Sequence, residues 1–81
     1  CVLNRLARIY AKKSVNLDKG IEISLHTLEL KPNTPEFIDT LSELYYKKGD
    51  TKKAIETINR AIKLDPSNGY YKQQRRKFSG V

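Results

Sequence analysis

The chain has 81 residues, 38% hydrophobic and 31% charged, so it holds one small domain at most and too little core for a sizeable buried enzyme pocket. The formal charge of +7 is uneven: residues 1–34 carry six basic and three acidic side chains, 35–66 carry six of each, and 67–81 carry four basic and none acidic. No apolar run approaches the roughly 20 residues a membrane span needs, which excludes that class of helix, and no charged-then-apolar leader precedes the first helical pattern.

A single cysteine requires no oxidising compartment, which favours a cytoplasmic setting. Cys1 is followed at once by helix-like Val2-Leu3 rather than by a polar tether, so it reads as a terminal or buried thiol, not a lipid carrier. Starting at Cys1 and holding no methionine, the chain reads as a piece of something longer.

In chain order, Val2, Leu3, Leu6, Ala7, Ile9 and Tyr10 recur at mostly three-and-four spacing, which predicts an amphipathic helix over 2–13. Ser14 to Asn16 breaks it, with Asn16 as cap and Asp18 complementing the start of a second helix over about 17–30. Its stripe is Leu17, Ile21, Leu25 and Leu28, and Pro32 forbids continuation. Thr34-Pro35-Glu36 is a helix start, Phe37, Ile38, Leu41, Leu44 and Tyr45 are the inner stripe of a third helix over 35–48, and Gly49 closes it. Asp50 caps a fourth helix over 51–64 with Ala54, Ile55, Ile58, Ala61 and Ile62 inside, ended by Pro66. Asn68 caps a last segment that keeps Tyr71 and Phe78 as inner contacts but turns Lys72 and Arg75 outward, as a solvating end helix requires.

The chain repeats itself. Lys19 and Lys53, Ile21 and Ile55, Glu22 and Glu56, and Pro32 and Pro66 each differ by 34. Leu3 with Ile38, Leu6 with Leu41 and Tyr10 with Tyr45 match at 35, which places one extra residue in the turn Ser14–Asn16. This is the period of a helical hairpin repeat.

With Leu41-Ser42, Tyr45, Gly49-Asp50, Ala54, Ile58, Ala61 and Leu64-Asp65-Pro66 at the family's spacings, the chain resembles tetratricopeptide repeats over about four fifths of its length. Ile38 and Leu3 stand where a large aromatic is usual, Gly20 and Thr27 where alanines are, and Ser24 where a bulky side chain is. The resemblance implies an all-α fold of about five helices, a right-handed superhelical stack of antiparallel hairpins (an α-α solenoid). Within one domain over 1–81 it implies a first repeat over 1–33, a second over 34–67 and a capping helix over 68–78.

It also implies a concave groove lined by the first helix of each hairpin. The candidates for a peptide-binding groove are Asn4, Arg8 and Lys12 on the first helix, Asp39, Thr40, Glu43, Tyr46 and Lys47 on the third, and Gln73, Gln74 and Lys77 on the last. Some members of the family hold a peptide's C-terminal carboxylate with lysines and asparagines across three repeats. Asp39 and Glu43 in mid-groove leave that clamp absent and suit a basic or mixed segment in the middle, with an acidic one at the two ends.

Catalysis has little to stand on. His26, the one histidine, lies off the apolar stripe as an exposed helical side chain, and there is no CxxC, HExxH or glycine-rich phosphate loop. Glu22 with Glu29 and Asp39 with Glu43 read as surface acids beside lysines; Tyr45 and Tyr71 read as core, Tyr46 and Tyr70 as exposed. The expected function is a non-enzymatic scaffold for a protein or peptide partner, the C-terminal repeats of a larger protein, with no cofactor and no metal. Self-association through the apolar edge at Val2, Leu3 and Ile9 is one alternative. Nucleic-acid binding through KQQRRK is another, less suited because a short charge run is more often a solvated face.

Overall fold

Proline and glycine punctuation divides the chain into five helices; the boundaries read from periodicity match those in space for the first four, and the last helix lies one residue later than expected. A computed structural model describes residues 2–80; Cys1 and the reading placed on it lie outside the described residues. The helices are α1 (Val2–Lys13), α2 (Leu17–Leu30), α3 (Pro35–Lys48), α4 (Thr51–Leu64) and α5 (Gly69–Ser79), with no strand among the described residues. Each packs on the next, and α1 also lies on α3, which makes two stacked hairpins with α5 on the far side.

The two hairpin turns use one device in two chemistries. Gly49 closes α3 at φ 95, with its N–H donating to the Tyr46 carbonyl at 3.0 Å and the Asp50 N–H to the Tyr45 carbonyl at 2.9 Å. At the end of α1, Ser14 stands in the glycine's place at φ 53, donating to Ala11 at 3.2 Å, while Val15 donates to Tyr10 at 3.1 Å. The extra residue of the first turn is accommodated by Asn16, also left-handed at φ 49. Because a side chain in that conformation costs about 1–2 kcal/mol, Ser14→Gly is expected to stabilise the domain by up to about 1 kcal/mol, raising the thermal midpoint by a few degrees. A midpoint that falls would refute this.

Two caps differ from the expectation. Asn16 accepts from the Gly20 N–H through its backbone carbonyl at 2.9 Å, and its side chain makes no cap bond. The Thr34 hydroxyl is also unused, because the Thr34 carbonyl already takes the Phe37 N–H at 3.0 Å. Asp50 and Asn68 cap as expected, accepting from the Lys53 and Tyr70 amides at 3.2 and 3.0 Å.

The core is centred on α3. Ile38 and Leu41 join Leu28, Ala54, Ile58, Ala61, Tyr71 and Phe78 in one cluster, while Leu44 joins Ala7 and Ala11 in a second. The first hairpin packs differently from its apolar pattern. α1 turns Asn4, Ala7 and Ala11 inward, which brings it close to its neighbours, and leaves Leu3, Leu6 and Ile9 at its rim and Val2 80% exposed. α2 likewise buries Gly20, Ser24, Thr27 and Leu28 and exposes Leu25. Gly20 is where Leu44 enters: a Cβ there would sit 2.8 Å from Leu44 Cδ2, so glycine admits the leucine of the next repeat.

Candidate binding cleft

The inner faces of α1, α3 and α5 converge on an open cleft of about 700 Å³. Four-residue steps along α1 bring Asn4, Arg8 and Lys12 to its wall, and α3 contributes Asp39, Thr40, Glu43 and Lys47. Gln74 and Tyr70 of α5 complete it. The spacing argument thus brings together Asn4, Arg8, Lys12, Asp39, Thr40, Glu43, Lys47 and Gln74.

It does not bring in Tyr46, Gln73 or Lys77. Tyr46 is partly buried rather than exposed, its ring 4.8 Å from that of Phe78, because one residue after Tyr45 the helix face has turned toward α5. Lys77 lies over the Tyr46 ring at 5.3 Å and bonds Glu43, so it closes the end of the site without lining it. Gln73 is exposed and outside the wall. Arg5, Ile9, Ala11 and Tyr70 line the cleft and were not anticipated. Arg5 could have been found as the residue three before Arg8 on one helical stripe; Tyr70 needed the angle at which α5 leaves the Asn68 cap.

The acidic side of the cleft is held internally. Gln74 Nε2 donates to Asp39 Oδ1 at 3.1 Å and to Glu43 Oε1 at 2.9 Å, and Lys77 Nζ donates to both Glu43 oxygens at 2.9 and 3.2 Å. Lys47 adds a looser pair with Glu43 at 4.0 Å. Asp39 and Glu43 are therefore engaged by α5, contrary to an open acidic centre that invites a basic segment. Asp39 is no surface acid either: burial pushes its carboxyl above the usual range, with the Glu43 charge adding and the Gln74 hydrogen bond opposing.

A carboxyl whose pKa is higher folded than unfolded holds its proton more tightly when folded. Its contribution favours folding at low pH and is lost as pH rises through the folded value. Asp39→Asn removes the charge and keeps an acceptor for Gln74. Thermal melts are expected to show a raised midpoint at neutral pH and little change below about pH 3, where the unfolded carboxyl is also protonated. A midpoint lowered at neutral pH would count against this account of Asp39.

The remaining polar groups are dispersed. His26 pairs with Glu29 at 3.5 Å, both exposed on α2. Among the described residues no group of three or more His, Cys, Asp or Glu side chains could hold a metal ion, and no helix is long and apolar enough to cross a membrane. The basic run of α5 is not one face: Gln74 is buried, Lys77 is tied to Glu43, and Arg75 donates to Asn59 at 3.0 Å.

Comparison with known proteins agrees with this architecture. Residues 35–68, which include α3, α4 and the turn between them, match the tetratricopeptide repeat family model. The BBSome complex member BBS4 of Bos taurus is 36% identical to the chain over 63 residues, 78% of this chain and 12% of that protein's length. Residues 35–68 form a tetratricopeptide repeat, and the all-helical stack and that likeness support a tetratricopeptide repeat family protein.

Proposed function

We propose that the chain is a non-enzymatic protein-interaction module that takes a peptide segment of its partner in the cleft between α1, α3 and α5. The observation that carries this reading is the convergence of three successive inner helix faces on one open, polar-walled cleft. The likeness to a member of a protein complex supports it. Peptides selected on the full chain from a random library, then mapped by amide chemical shifts, are expected to perturb α1, α3 and the start of α5. Shifts confined to α2 and α4 would overturn the reading.

A second reading, self-association or stacking within a longer solenoid, is favoured by the rim of α1. Leu3, Leu6 and Ile9 are exposed there, while their equivalents Ile38, Leu41 and Leu44 in the next repeat are buried, Leu44 against Ala7 and Ala11 of the first hairpin. Sedimentation at several concentrations tests it: concentration-dependent mass that Leu6→Glu removes supports the reading, and a strictly monomeric chain removes self-association.

A further inference from the structure

The charges that face the cleft are unequally committed. On α3, Glu43 is met by Lys77 and Gln74, and Asp39 by Gln74. On α1, Arg5, Arg8 and Lys12 line the facing wall, all three exposed, and no carboxylate of the described residues lies within ion-pair distance of them. The spacing i, i+3, i+7 sets the three cations on one stripe spanning about 10 Å of helix axis. Ile9 and Tyr70, both substantially exposed, stand beside them in the cleft.

We propose that the segment taken by this cleft is acidic, its Asp and Glu side chains seated on Arg5, Arg8 and Lys12 and its backbone lying against Ile9 and Tyr70. The proposal rests on the cleft being the binding surface. Two arguments favour an acidic occupant over a basic one. A basic segment would have to displace Lys77 from Glu43, whereas an acidic one meets a wall of like-charged, unpaired cations and relieves their mutual repulsion. Because Lys77 already offsets the charge of Glu43 and Gln74 hydrogen-bonds both α3 carboxylates, the opposite wall repels an acidic chain less than two open carboxylates would. An extended peptide sets same-side side chains about 6.6–6.8 Å apart, so carboxylates at alternate positions reach neighbouring rungs, and each arginine can meet one through two parallel N–H donors.

Fluorescence anisotropy of the full chain with labelled octapeptides of alternating glutamate and serine, lysine and serine, or glutamine and serine tests this. The glutamate peptide is expected to bind tightest and to weaken with added salt. Joint Arg5→Gln, Arg8→Gln and Lys12→Gln is expected to weaken it by roughly tenfold to a hundredfold with an unchanged melting curve, since all three side chains are exposed. Arg75→Gln with Arg76→Gln on α5 is expected to leave it unaffected. A glutamate peptide bound no better than the lysine one, or weakened equally by the α5 pair, overturns the proposal. So does a uridine octanucleotide bound as tightly and lost with the same α1 variants, which would make the wall a general polyanion seat. Library-selected peptides that shift cleft amides without acidic bias would sink this assignment and leave the cleft reading standing; an absence of cleft shifts removes both.

Discussion

Leu44→Ala is expected to lower stability by about 2–5 kcal/mol, the range for removing a buried leucine side chain. In a domain of this size the thermal midpoint should fall by on the order of 10–30 °C. Leu44 is fully buried, and it is the large member of the cluster that otherwise holds Ala7 and Ala11, with Gly20 shaped around its methyl group. Ala7, Ala11 and Gly20 cannot refill the space, so a cavity persists beneath Tyr10, Leu17, Ile21 and Ile23 and the first hairpin loses one of its attachments to the second. Hydrogen exchange should therefore show α1 and α2 amides loosened well before those of α4 and α5. A loss below about 1 kcal/mol, or loosening spread evenly over all five helices, would defeat this account.

Ala54→Phe should be nearly as damaging through the opposite defect. Ala54 has no exposed surface and sits in the cluster of Leu28, Ile38, Leu41, Ile58, Ala61, Tyr71 and Phe78, where α4 is held close to its neighbours. Adding a ring there forces side chains off their rotamers or helices apart, typically at about 1–3 kcal/mol and occasionally more. The midpoint is expected to drop by roughly 5–20 °C. Leu64→Ala, at a largely exposed position of the same helix, should move it by little. An unchanged melting curve for Ala54→Phe would mean that close helix approach is not what the small residues secure.

The second hairpin and the end helix were legible because their local signals agree. Asp50 and Asn68 cap, Gly49 stops, and Ala54, Ile58 and Ala61 lie on one stripe that is buried. The first hairpin was less so, because an apolar stripe gives the face of a helix but not which neighbour it meets. α1 carries two candidate faces, one of large residues at Leu3, Leu6 and Ile9 and one of small residues at Asn4, Ala7 and Ala11, and packing chose the small one. Nothing local distinguishes Gly20 as a seat for Leu44, 24 residues away in the chain.

The same division runs through the cleft. Helical spacing alone is enough to put Asn4, Arg8 and Lys12 on one wall and Asp39 and Glu43 on another, since residues four apart share a face in any helix. Which of those charges remains open to a partner depends on contacts across more than 30 residues, Gln74 to Asp39 and Glu43 and Lys77 to Glu43. Periodicity and punctuation therefore determine the five helices and their repeat, because those follow from one helix at a time. The charge the cleft presents is settled by assembly: α5 pairs Lys77 with Glu43, hydrogen-bonds Asp39 through Gln74, and leaves Arg5, Arg8 and Lys12 with no ion-pair partner among the described residues, and that depends on the distance between side chains that meet only in the folded stack.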